Sequence, residues 1–146
     1  MKRFKTIYFL LLILLLILWI PASIYKIYDF DNFRKSILNQ PFNKLLADIV
    51  IYTIPSLEIF VVVLLLINKS RLIGLYLSSF LLIVFTSYIG IALLNTWEKL
   101  PCGCGLIISS FNWKEHFWLN IFFLTINAVS LLLEYKKLKF TNYIIK

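Results

Sequence analysis

The chain reads as an all-α membrane protein, a bundle of four transmembrane helices with an amphipathic helix on its outer surface between the first two spans. Three observations predict this. Hydrophobic residues make up 61% of the 146 positions, and only 15% are charged. Four runs with at most one charge each are long enough to cross a hydrocarbon core about 30 Å thick as helices. No run alternates with the period of two that a membrane strand requires, and in lipid a helix satisfies its own backbone groups.

The spans fall at about 6–24, 49–67, 72–95 and 117–133. The first is a leucine-rich run that follows Lys2, Arg3 and Lys5. A basic start and the small residues Ala22 and Ser23 are also compatible with a cleaved signal peptide, but the apolar stretch is long for one and reads as a retained helix. Its removal would leave three spans with unchanged orientation. The second span carries an intramembrane charge, Glu58, one turn after Pro55. No internal repeat and no room for a soluble domain are evident, so residues 1–146 read as a single transmembrane domain.

Residues 25–48 form the longest extramembrane piece. Phe30, Phe33 and Ile37 recur there at helical spacing, with Asp31, Arg34 and Lys35 between them. This is the pattern of an interfacial amphipathic helix. Asp29 or Asp31 is placed to cap its start, and Pro41 to end it near Gln40. It reads as a connector, with a lid over the next outer loop as the alternative.

Charge orients the bundle, because Lys and Arg near helix ends stay on the cytoplasmic side. Lys2, Arg3, Lys5, Lys69, Arg71, Lys136, Lys137, Lys139 and Lys146 lie at one end, against Glu134 alone. The other end sets Lys26, Arg34, Lys35, Lys44, Lys99 and Lys114 against Asp29, Asp31, Asp48, Glu98 and Glu115. Trp19, Trp97, Trp113 and Trp118 then meet the outer interface. Both termini are expected in the cytoplasm. The net charge of +8 is split among helix ends rather than gathered on one soluble face, which excludes nucleic acid as a partner.

The second outer segment, about 96–116, holds the two cysteines of the chain, in Pro101-Cys102-Gly103-Cys104-Gly105. Residues two apart come within the Cα separation a disulfide permits, and Gly103 removes a Cβ that would resist the bend. A bridge over one residue removes little chain entropy, so it is a poor staple. Strained and exposed, it would exchange readily, which suits redox work in an oxidising outer compartment. Metal binding and an inert pair are the alternatives.

His116, the chain's single histidine, follows about a dozen residues later at the start of the fourth span. Near the pair, an imidazolium would raise the thiolate fraction and a neutral ring could relay a proton. The bland reading is an interfacial or capping histidine. Two thiolates and one imidazole also make three soft-metal ligands, short of the four a closed zinc site requires unless Glu98, Glu115 or a partner supplies one. Glu58, costly in mid-membrane, is expected to face the bundle interior. It reads as packing polarity or as part of a proton or quinone site, protonated or bonded to Tyr52, Ser56, Thr86 or Ser87.

Taken together, Pro55-x-x-Glu58, Arg71-x-x-Gly74, Phe85-Thr86-x-Tyr88, Cys102-Gly103-Cys104-Gly105, Trp113-x-x-His116 and Asn120 resemble the MauE/DoxX group of redox-associated membrane proteins. The resemblance spans nearly the whole chain. It implies a four-helix protein of the bacterial inner membrane. The MauE branch is linked to methylamine utilisation, where it assists maturation of a disulfide-rich dehydrogenase subunit, and the DoxX branch includes a subunit of a thiosulfate:quinone oxidoreductase. Carried over, Cys102 and Cys104 are the redox pair and His116 their neighbour.

The resulting expectation is a thiol:disulfide relay or disulfide-maturation factor, a component of an oxidoreductase, acting on a thioredoxin-like or cysteine-rich extracytoplasmic client. No motif demands a cofactor. Because the chain has no second cysteine pair, electrons pass either to a quinone, with Glu58 as the residue to bind it, or to a partner's cysteine pair. The alternative is a non-enzymatic assembly or metal-binding subunit whose cysteine loop docks a partner.

Overall fold

The computed structural model describes residues 2–94 and 113–144, with side chains for 5–94 and 114–137. Five helices follow one another: α1 (Lys2–Tyr28), α2 (Phe30–Leu38), α3 (Lys44–Leu66), α4 (Arg71–Leu93) and α5 (Trp113–Ile144). No strand occurs among the described residues. All but α2 are long and apolar enough to cross a membrane. The chain is therefore a multi-pass membrane protein built for a lipid bilayer, and one long helix corresponds to each expected span, α3 ending at Leu66 and α4 at Leu93, slightly short of the expected ends.

The helices pack as a ring. Each long helix touches two others, in the cyclic order α1, α3, α4, α5, which sets α1 and α4 on one diagonal. Each buries one stripe. On α1 the buried residues are Tyr8, Leu12, Leu15, Trp19, Ser23 and Lys26, spaced three or four apart so that they share one face. On α3 they include Ala47, Ile51, Glu58, Val61 and Leu65. The remaining faces carry exposed Leu, Ile and Phe, as expected where the surrounding solvent is lipid.

Several element ends differ from the expectation. Runs of apolar residues underestimate a helix whose last turns carry charge, and α1 continues through Pro21 to Tyr28. The chain turns at Asp29 and enters α2 at once, with Phe33 N–H donating to the Asp29 carbonyl at 3.0 Å. Asp29 sits at the cap position of α2 but its side chain caps nothing. Its Oδ2 instead accepts from Tyr25 Oη at 3.1 Å and Asn32 Nδ2 at 2.9 Å. The helix stops at Leu38, just before Gln40 and Pro41, as anticipated. α3 starts earlier than the apolar run, because Asn43 Oδ1 accepts the Leu46 N–H at 2.8 Å and nucleates the first turn ahead of Asp48.

The amphipathic helix α2 is partly core. Phe33 and Ile37 of α2 are buried with Ala47 and Ile51 of α3 in a second apolar cluster, while Arg34 and Lys35 face outward. Trp19 also departs from expectation. It lies inside α1, 2% exposed, and its Nε1–H donates across the diagonal to Ser78 Oγ at 2.9 Å. Trp118 is 68% exposed near the start of α5. Trp97 and the Trp113 side chain lie outside the described residues.

The hairpin from α3 to α4 explains Arg71-x-x-Gly74. Arg71 Nε donates to the Leu65 carbonyl at 2.9 Å, satisfying a carbonyl left unpaired at the end of α3. Gly74 lets the two helices meet at their backbones. A Cβ there would fall 2.9 Å from Leu64 Cβ and 3.1 Å from Leu65 N.

Candidate functional site

Cys102 and Cys104 lie outside the described residues. Their segment joins Leu94, just past α4, to Trp113, the first residue of α5. Those helix ends are neighbours, since a Cβ on Gly90 would stand 3.6 Å from the Phe117 ring. His116 occupies the first turn of α5 and is half-buried. Among the described residues no cluster of three His, Cys, Asp or Glu side chains could hold a metal ion.

A buried ion pair joins the last turn of α1, at this end of the bundle, to the middle of α3. Lys26, 4% exposed, reaches inward from α1, and its Nζ stands 2.6 Å from Oε1 of Glu58, 0% exposed, on α3. The same ammonium lies 5.9 Å from the Phe33 ring centroid of α2, a cation–π distance. Glu58 Oε2 is buried without a hydrogen-bond partner among the described residues. Lys26 thus belongs to the bundle interior rather than to an outer loop.

None of the partners expected for Glu58 is seen to bond it, and Ser87 is exposed on α4. Ser56 Oγ donates to the Tyr52 carbonyl, and Thr86 Oγ1 to the Leu82 carbonyl at 2.6 Å, each closing a bond within its own helix. Tyr52 is exposed and packs its ring on Phe30 at 5.9 Å. The side chain that reaches the Glu58 carboxylate is Lys26, from the neighbouring helix α1.

Beside the pair opens a cavity of about 240 Å³ lined by Lys26, Phe33, Phe42, Val84, Phe85 and Tyr88, among others. α2 and the turn after it form its outer wall. Tyr88 Oη donates to Gln40 Oε1, and its ring packs on Phe42 at 5.7 Å, so the turn is fastened to α4. Phe85 packs on Trp19 at 6.4 Å on the other side. Phe85 and Tyr88 of the Phe85-Thr86-x-Tyr88 motif therefore wall the cavity.

The sequence signal for Lys26 lies in periodicity. It continues the stripe of Tyr8, Leu12, Leu15, Trp19 and Ser23, and Glu58 continues the stripe of Ala47 and Ile51. Two opposite charges, each on the buried face of its helix, identify a candidate interior pair.

A ring of four membrane-spanning helices, with a buried Lys–Glu pair beside an aromatic cavity, defines a multi-pass membrane protein with a polar interior site. Residues 4–133 match the family described as methylamine utilisation protein MauE, and the chain belongs to that family. Among curated proteins and among solved structures, nothing matches the chain.

Proposed function

We propose that the chain is a membrane thiol:disulfide relay or disulfide-maturation factor, acting through Cys102 and Cys104 on a thioredoxin-like or cysteine-rich extracytoplasmic client. The observation that supports this most directly is the Cys-x-Cys motif within the matched residues 4–133, on the connection from α4 to α5. In this reading the protein lies in the bacterial inner membrane with both termini cytoplasmic. Its positive end then faces inward.

The exchange conserves atoms and electrons. A thiolate of one partner attacks the disulfide of the other, a mixed disulfide forms, and the second thiol of the attacking pair displaces the first. The net change is a dithiol on one protein for a disulfide on the other, with two electrons and two protons transferred. In this reading His116, in the first turn of α5, would serve the exchange as a neutral ring that relays a proton.

The Lys26–Glu58 cavity fits the acceptor that a chain with one cysteine pair requires. Its aromatic walls suit a planar ring, and the Lys26 ammonium, with two N–H groups beyond the one bonded to Glu58, can donate to a ring carbonyl. A bound quinone would supply an acceptor for two electrons and two protons. Glu58 holds the ammonium in place and offers Oε2 as a proton acceptor.

Replacement of Cys104 by Ser, followed by acid trapping from intact cells, tests the proposal. The expected result is a mixed disulfide between Cys102 and an extracytoplasmic protein, and labelling of the wild-type pair by impermeant maleimide from outside only after mild reduction. Cysteines that stay reduced and trap no client would replace the relay with a docking subunit. Labelling that appears only after chelation would replace it with a metal-binding one.

A further inference from the structure

We propose that the opposite end of the bundle, where both termini lie, holds a binding site for a phosphate-bearing anion, occupied by the headgroup of an anionic phospholipid. A cavity of about 360 Å³ opens there between α1, α4 and α5. Lys5, Arg71 and Lys137, one from each helix, line it together with Tyr8, Phe9 and Leu133. Glu134 is the neighbouring acid, and its Oε1 lies 3.1 Å from Lys137 Nζ, so three cations meet one carboxylate.

Tyr8 makes this more than a cationic rim. Its side chain lines the cavity, is 8% exposed, and carries a buried hydroxyl with no hydrogen-bond partner among the described residues, although Arg71 and Glu134 lie close enough to act on it. A buried hydroxyl left unpaired is costly, and a phosphate oxygen would satisfy it. Arg71 spends its Nε–H on the Leu65 carbonyl, which fixes the guanidinium at the cavity edge, and the planar fork beyond it matches a phosphate. Lys137 Nζ stands 5.6 Å from the Tyr8 ring centroid, so ammonium and phenol share one wall.

The apolar part of the lining chooses between sources. Phe9 is 59% exposed on the lipid-facing surface of α1, and Leu133 lies beside it on the cavity wall. A phosphodiester bonded to Tyr8, Lys5 and Arg71 would lay its acyl chains over these residues. A free phosphate would leave them uncovered.

The test uses the full-length protein in neutral detergent, titrated with phosphatidylglycerol, phosphatidylcholine and inorganic phosphate, with bound lipid read by native mass spectrometry. Phosphatidylglycerol is expected to bind more tightly than phosphatidylcholine, and Lys5→Gln to weaken it about fivefold, the factor one basic side chain contributes near an anionic lipid. Tyr8→Phe is expected to weaken it further. Lys69→Gln removes a charge from the same end but outside the cavity, and is expected to have a smaller effect. Phosphate that competes the lipid away would support the oxyanion site and assign it to free phosphate; no competition supports the lipid. Equal binding of the two lipids with no phosphate effect, or equal losses from Lys5→Gln and Lys69→Gln, would overturn the proposal.

Discussion

Lys26 Nζ and Glu58 Oε1 stand 2.6 Å apart in the bundle interior, joining the last turns of α1 to the middle of α3. Each residue alone would be an isolated charge away from water. Together they place a fixed dipole beside the aromatic cavity.

Removal of one partner is expected to cost about 3 kcal/mol, because the other stays buried and uncompensated. Glu58→Ala and Lys26→Met should each lower the unfolding free energy in mixed micelles by that order. The double variant Lys26→Met/Glu58→Leu should recover most of the loss. Additive losses would show that the two side chains do not depend on each other.

Gly74→Ala is expected to destabilise the hairpin of α3 and α4 by about 1–3 kcal/mol, the usual range for forcing an extra methyl into a packed contact. Its neighbours at 2.9–3.1 Å include backbone atoms, which cannot swing aside. Gly90→Ala, whose nearest contact is 3.6 Å, should change stability by no more than about 0.5 kcal/mol. Thermal unfolding of both variants checks the contrast, and equal effects would contradict the close approach at Gly74.

Asn127 joins α5 to α4, donating from Nδ2 to the Leu75 carbonyl at 3.0 Å and to Ser79 Oγ. Hydrogen bonds between membrane helices average about 0.6 kcal/mol, so Asn127→Ala should cost about 1 kcal/mol at most. Its larger effect should be on register. Disulfide cross-linking between cysteines introduced on α4 and α5 should become less selective in the variant, and unchanged selectivity would assign register to apolar packing alone.

Tyr88→Phe removes the bond to Gln40 that fastens the turn after α2. Hydrogen exchange of residues 30–38 should quicken while α5 keeps its protection. If the cavity serves the relay, client oxidation should slow in the same variant. Faster exchange without any change in client oxidation would separate the cavity from the thiol chemistry.

Much of the site was within reach of sequence reasoning, and the omissions have physical causes. Glu58 stood out because a carboxylate in an apolar run has few explanations. Lys26 reads as a loop residue because it follows the apolar run, although it shares the buried face of Tyr8, Leu12 and Trp19. Trp19 reads as interfacial from the preference of tryptophan for membrane surfaces, and its bond to Ser78 depends on which helix lies across the diagonal. Glu134 reads as an end charge, yet it is 1% exposed beside Lys137.

The sequence by itself determined the helical class, the four spans and the amphipathic face of Phe33 and Ile37, because lipid leaves an apolar chain no other way to satisfy its backbone. Tertiary structure alone decided that Lys26 meets Glu58, that α2 walls a cavity with Phe33, and that Lys5, Arg71 and Lys137 converge on Tyr8. Those meetings depend on the cyclic order of the helices and on the rotation of each about its axis. Both are set by packing between segments far apart in the chain, which a local pattern of residues does not encode.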